Sequence, residues 1–229
     1  MGKTIEIIIR KLNCIKFIEY LIKYFFRDNI RKIFLKHPPY NKITHNYLLS
    51  TKDPIRYTTL ALIINDIKKN NIEGCLAEVG VFRGSTSNII HKIIPERKLY
   101  LFDTFEGFQH IDMEDKRFQD TSIKYLKKAI GNLNNIIIKK GIFPETTRGI
   151  EHETFSFVLI DLDKYNPTLD ALNFFYKRIS VGGYIFLHDY NSPESNYAVQ
   201  KAANKFLKDK PEKLIPFPDI WGSVVIRKL

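Results

Sequence analysis

Four short apolar runs, at 75–79, 99–102, 155–160 and 184–187, each end on or beside a titratable side chain: Glu78, Asp103, Asp161 and the pair His188-Asp189. Segments with helical periodicity separate the runs. A chain that alternates short apolar strands with helices folds as a mainly parallel sheet covered by helices. In such sheets ligands bind beyond the carboxyl ends of the strands. The titratable groups are therefore expected to meet along one rim. The expected fold class is α/β, a doubly wound, mainly parallel seven-stranded sheet of Rossmann-like type.

The remaining elements follow from periodicity and punctuation. Asp53-Pro54 is a helix start, with aspartate as cap and proline in the first turn, and Leu60, Ile63, Ile64 and Ile67 form that helix's buried stripe. Helices are predicted over 85–94, 121–130 and 167–179, with a long loop at 104–120 and a third strand at 135–139. Gly182-Gly183 reads as a turn into the strand that starts at Tyr184. Ala198, Val199, Ala202, Ala203 and Phe206 mark a further helix, and 214–216 with 223–226 read as a closing antiparallel pair at one edge.

Ahead of this pattern lies a different segment. Residues 14–34 carry apolar side chains at helical spacing interrupted by lysine, arginine and glutamate, an amphipathic stripe. Residues 1–56 hold 12 Lys/Arg against four acids and so contribute +8 of the net +11. We read 1–52 as a basic amphipathic helical extension or lid, and 53–229 as the main domain. A basic apolar arm suits peripheral contact with an anionic membrane surface, or a homodimer or higher assembly. No run is long enough to span a bilayer and no cleavable leader is evident, so the chain reads as cytoplasmic, with the arm at the inner face of the membrane. Cys14 and Cys75 make neither a disulfide framework nor a zinc site and read as small apolar filler.

Three constellations carry chemistry. The first, Glu78-Val79-Gly80-Val81-Phe82-Arg83-Gly84-Ser85, is a strand, a glycine turn and a helix start. It lacks both the dinucleotide fingerprint and the lysine of a phosphate loop, and Glu78 favours a cationic or hydroxyl-rich ligand over an anionic one. The second is Asp103, which follows Gly80 by 23 residues, close to the spacing at which an acid meets the two hydroxyls of a ribose. The third gathers Asp161, Asp163, His188 and Asp189. Its oxygen-rich donors suit a divalent cation such as magnesium, calcium or manganese, and a spare carboxylate or the imidazole can take a proton from a hydroxyl. Asn/Asp-Pro-Pro followed by an aromatic, the usual signature of nucleic-acid amino-methylation, is absent at the end of the fourth strand, so no nucleic-acid partner is expected.

In order along the chain, Glu78–Ser85, Asp103–Phe108, Asp120-Thr121-Ser122, Gly141–Thr146, Asp161–Leu172, Phe175-Tyr176, Gly182-Gly183 and Asp189-Tyr190 resemble the macrocin O-methyltransferase family. Members methylate sugar hydroxyls with S-adenosylmethionine (SAM). The resemblance spans roughly 55–228 and implies a class I SAM-dependent fold. It implies Glu78, Gly80 and Gly84 at the amino-acid end of SAM and Asp103 at its ribose. It also implies Asp161 and the acidic pair of the fifth strand as magnesium ligands, and Asp163 as base.

The full cofactor set expected is Glu78, Gly80, Phe82, Gly84, Ser85, Asp103, Thr104, Gly141 and Asp161. The catalytic pair is Asp163 and His188, and the metal set is Asp161, His188 and Asp189. Two departures stand out. The family's Asp-Asp-Tyr is His188-Asp189-Tyr190 here, so magnesium binding weakens or the metal differs. Ile142 stands where relatives carry an acid near the adenine, leaving that ring to backbone and apolar contacts. The expected acceptor is a sugar-containing small molecule, or a glycolipid or nucleotide-linked precursor of polysaccharide or antibiotic biosynthesis. The alternative is a non-catalytic SAM-fold module held to a membrane or assembly by its basic arm.

Overall fold

A computed structural model describes residue 51, residues 53–108, residue 112 and residues 114–229. Its elements in chain order are α1 (Pro54–Lys69), β1 (Cys75–Val79), α2 (Ser85–Ile93), β2 (Leu99–Asp103), α3 (Ile123–Ile130) and β3 (Ile136–Lys140). There follow a 3-10 turn (Glu145–Thr147), β4 (Phe155–Ile160), α4 (Tyr165–Tyr176), β5 (Ile179–Leu187), α5 (Ala198–Leu207), β6 (Ile215–Pro216) and β7 (Val224–Arg227). The seven strands form one sheet in the order β3-β2-β1-β4-β5-β7-β6. The first five are parallel; β7 runs antiparallel to β5, and β6 to β7. The order reverses between β1 and β4, and a ligand cleft forms at such a switch point.

Local chemistry explains the elements. Asp53 caps α1 through its side chain, which accepts from the Arg56 N–H, and Pro54 opens the helix. Ser122 caps α3 by accepting from Tyr125 N–H. All six residues of β4 are buried, as befits a central strand covered on both sides. Alternate strand residues serve opposite faces. Ala77, Val79, Tyr100, Phe102, Val158 and Ile160 share a core with Leu172 and Phe175 of α4 and Val199 and Phe206 of α5. Their neighbours Leu76, Leu101, Phe157 and Leu159 are equally buried, on the face opposite.

Two boundaries differ from expectation. The helix predicted over 167–179 is α4, which starts at Tyr165 and stops at Tyr176. The glycine pair lies inside β5 rather than before it. Phe155 N–H donates to the Arg178 carbonyl at 2.8 Å, so the strand pairs before the glycines are reached. The register then shifts between Phe155 and Phe157. Gly182 has φ +79, and a Cβ on Gly183 would lie 2.8 Å from the Ser180 carbonyl oxygen. Glycine within a strand marks such an irregularity as often as it marks a turn.

The expected extension over 1–52 lies outside the described residues apart from Thr51. Among the described residues, no helix is long and apolar enough to cross a membrane. Cys75 is half-buried beside Glu153; burial first, then that hydrogen bond, pushes its thiol up to about 12. It is inert filler, in keeping with the sequence reading.

Candidate active site

The carboxyl ends of β1, β2, β4 and β5 open on a cavity of about 420 Å3, within the range of small-molecule sites. Glu78, Gly80, Phe82, Ser85, Asp103, Thr104, Gly141 and Asp161 line it, as do Asp163, His188 and Asp189. Gly84 does not. Its φ is +81, and a Cβ there would meet Leu126 Cδ1 at 2.5 Å. The lack of a side chain there lets α3 pack against it.

Gly80 is different. A Cβ at this position would lie 1.9 Å from the Asp161 carbonyl oxygen, so only glycine lets the ends of β1 and β4 close up beneath the cavity. The turn that follows is tied to β2. Val81 and Phe82 N–H donate to Asp103 Oδ2 at 2.7 and 2.8 Å, and Phe105 N–H donates to Oδ1 at 2.6 Å. A carboxylate offers roughly four acceptor positions. The Asp103 carboxylate, expected to be free for two hydroxyls, is thus mostly engaged in holding the glycine turn. Glu78 is buried and accepts from the Ser87 hydroxyl. Burial, reinforced by Asp161 and Asp103, pushes it well above the usual carboxylate range. Such a carboxyl gains from a cationic ligand. Ile142 and Phe143 add apolar side chains to the lining beside Gly141.

The other half of the rim is organised by side chains. Asp163 is buried, with φ +55. Burial first, then Asp161 and Asp189, raise it to about 8, against Arg117. Arg117 Nη1 lies 3.4 Å from Asp163 Oδ2, while its guanidinium stacks over Phe108 and Phe118 at 5.3 and 5.7 Å. The loop between β2 and α3 walls the cavity through these residues.

Asp161, His188 and Asp189 do come together, with ligand-type atoms all within 4.8 Å of one another. His188 Nδ1 is 3.2 Å from Asp161 Oδ1 and 2.9 Å from Asp189 Oδ1. Its other nitrogen, Nε2, meets Arg56 Nη1 at 2.6 Å, and Arg56 Nη1 is 4.0 Å from Asp161 Oδ2. Burial alone would raise Asp161, but His188 and Arg56 outweigh it and hold that carboxylate below its usual range.

Burial lowers the ring's affinity for a proton, but Asp161 and Asp189 outweigh it and raise the imidazole to about 10. Both ring nitrogens are engaged, one by Arg56 and the other by the two carboxylates. Two carboxylates and an imidazole this close together are a donor set that suits the divalent cation implied by the family resemblance.

Sequence reasoning did not find Arg56, Tyr57, Arg117, Phe118 or Trp221, all of which line the cavity. Arg56 had one signal, its place in the first turn of a helix opened by Asp53-Pro54. Arg117 had none.

This strand order and glycine-floored rim define the class I fold of SAM-dependent methyltransferases. Residues 53–214 match the family described as Macrocin-O-methyltransferase (TylF), and the chain belongs to that family. It is similar to demethyldecarbamoylnovobiocin O-methyltransferase of Streptomyces niveus, 22% identical over 173 residues, which cover 66% of each chain. It is also similar to 8-demethyl-8-(2,3-dimethoxy-alpha-L-rhamnosyl)-tetracenomycin-C 4'-O-methyltransferase of Streptomyces olivaceus, 23% identical over 156 residues, or 59% of this chain and 60% of that one. The chain thus spans just under two thirds of the length of the curated relatives it matches. Among solved structures it resembles the O-methyltransferase NovP, with a TM-score of 0.64 and 21% identity over 76% of this chain and 80% of that one.

Proposed function

We propose that this protein transfers the methyl group of SAM to a hydroxyl of a sugar carried by a glycoside or a nucleotide- or lipid-linked precursor. The observation that carries this reading is the convergence of Glu78, Asp103 and Asp163 on one cavity at the switch point of a class I sheet. Membership of a family of O-methyltransferases supports it. So does the rhamnosyl-bearing substrate in the name of the Streptomyces olivaceus relative.

SAM, when bound, supplies an electrophilic methyl group on a cationic sulfur. The chain's own residues do the rest. Glu78 offers its buried carboxyl to the cationic end of the cofactor. Gly80 lets backbone close in beneath it, and what remains of the Asp103 carboxylate meets the ribose. Asp163 faces the acceptor. As the hydroxyl oxygen forms its bond to the methyl carbon and the carbon–sulfur bond breaks, Asp163 receives the hydroxyl proton. A carboxyl raised to about 8 is a far better base than an ordinary aspartate, and matching the pKa of a base to the working pH is what general-base catalysis requires. The aromatic residues of the loop between β2 and α3 exclude water from the reacting atoms. The remainder of the rate enhancement comes from holding acceptor and methyl group in line.

Calorimetric titration with SAM and its demethylated product, followed by transfer of radiolabelled methyl to nucleotide sugars and glycosides, tests the proposal. Micromolar binding of both nucleosides and label on a sugar oxygen are expected. Binding without transfer to any sugar would instead favour a non-catalytic SAM-fold module.

A further inference from the structure

Resting on that functional reading, we infer that Trp221 is the platform against which the acceptor sugar packs, and that it selects a ring that can turn a face of C–H groups toward it. Three observations carry the inference: where Trp221 stands on the rim, how firmly its turn is built, and that the rest of the fold leaves the indole unengaged.

Trp221 lines the cavity, as do Ser192 and Glu194. β7 pairs with β5 so that Val224 lies beside Leu187, the residue before His188. The turn that leads into β7 therefore stands just beyond the end of β5. There the Asn191 N–H donates to the Trp221 carbonyl at 2.9 Å. The approach is close: a Cβ on Gly222 would lie 2.4 Å from Asn191 Nδ2. Trp221 thus belongs to the half of the rim that holds His188 and Asp189, next to the strand end that leads to Asp163. The glycine turn and Asp103 belong to the ends of β1 and β2. A side chain so placed meets the acceptor and not the nucleoside.

The turn is tied from several sides. Asp219 accepts from the Ser223 N–H at 2.5 Å and from the Ser223 hydroxyl. The Phe217 N–H donates to the Ser223 carbonyl at 2.8 Å. From just ahead of α1, Asp53 Oδ2 accepts from the Ile220 N–H at 3.4 Å. The indole on this turn is only partly buried. Among the described residues, its N–H has no hydrogen-bond partner and no ring stacks on it. A tryptophan serving the core would normally pair that N–H. An indole face carries slight negative charge, whereas the C–H groups of a sugar ring are made slightly positive by the oxygens beside them. The two faces attract, and the sugar's hydroxyls stay at the ring's edge, where one can reach Asp163. Selection follows, because a hydroxyl turned onto the indole loses water without gaining a partner.

Trp221 is the single tryptophan of the chain, so tryptophan fluorescence reports on this residue alone. The test uses the full chain saturated with the demethylated nucleoside. Methyl glucoside, methyl galactoside, methyl rhamnoside and the uridine diphosphate forms of glucose and galactose are titrated in turn, and methyl transfer to each is measured in parallel. At least one sugar should shift the emission saturably to the blue, as the indole is covered from water, while the nucleoside alone should not. Trp221→Ala should raise KM for that sugar by roughly tenfold, the scale of one aromatic stacking contact, with a far smaller effect on kcat. Trp221→Phe keeps an aromatic face and should recover most of the loss. Calorimetric binding of the nucleoside by each variant shows that it has folded. An emission that answers to none of the sugars, one that answers to the nucleoside alone, or a KM unmoved in Trp221→Ala would each overturn the inference. Emission that answers to a sugar while no sugar receives label would keep the platform and sink the methyl-transfer reading; label transferred with emission and KM unmoved would do the reverse.

Discussion

The two halves of the rim are built in opposite ways. At the ends of β1 and β2, acids and backbone satisfy one another: Asp103 is held by the N–H groups of Val81, Phe82 and Phe105, and Glu78 by Ser87, nine residues along the chain. At the ends of β4 and β5, side chains from distant elements do the work. His188 meets Arg56 across 132 residues, and Asp163 meets Arg117 across 46. The first half is a turn held by its own backbone. The second is a charge network assembled across the chain. One half of such a rim can therefore stay fixed while one or two long-range partners alter the other.

The largest expected effect separates the halves outright. Asp163→Asn should lower turnover by roughly two to four orders of magnitude, the usual contribution of a positioned base, while affinity for SAM stays the same. In the wild type, turnover should rise with pH, reach half its maximum near 8 and level off above that, because the base must be deprotonated and its carboxyl is raised to about 8. The stability sign is opposite. A carboxyl raised in the folded state favours folding below its unfolded pKa, and that advantage is lost as pH rises through the folded value. The ligand-free Asp163→Asn variant should therefore melt above the wild type, by a margin that grows with pH until about 8. A flat pH–rate profile together with unchanged turnover would remove Asp163 as base.

Next in size, Glu78→Gln should weaken SAM binding by roughly 10- to 100-fold, the loss of one charge-assisted hydrogen bond. Burial holds Glu78 well above the usual range, so the ligand-free variant should melt higher than the wild type at neutral pH and by a wider margin at alkaline pH. Calorimetry and thermal melts at several pH values check both. Equal affinity in the two proteins would place the cationic end of the cofactor elsewhere.

The smallest effect on binding is expected at Gly84. Gly84→Ala puts a side chain at φ +81 against Leu126, at a cost to stability of about 1–2 kcal/mol for the left-handed backbone alone, with no change in SAM affinity. A variant that folds normally but loses SAM would place Gly84 in contact with the cofactor.

Legibility in the sequence follows the same division. Every strand is legible from its apolar run, and Asp103 from its distance to Gly80, because both signals are local. The glycine pair in β5 reads as a turn in the sequence because glycine alone does not say whether a strand passes through it. The packing of α3 on Gly84 is not legible, because a glycine needed for helix packing looks the same in sequence as one needed for a ligand. The metal trio is legible as a set of donors, yet nothing in its spacing discloses that a guanidinium from α1 meets the central imidazole.

On its own, the sequence determined the sheet, its helical cover and the rim on which the acids gather, since strand and helix periods and strand-end punctuation are read within a few residues. Tertiary structure alone decided the chemistry of that rim. It set Phe82, Phe105, Asp163 and Asp189 in the left-handed region beyond the ends of four neighbouring strands, conformations that non-glycine residues hold only when surrounding contacts compel them. It also set Arg56 of α1 against the His188 ring, across 132 residues. The reason is physical: the charge state of a buried group is settled by whatever stands beside it, and here that neighbour arrives from a distant part of the chain.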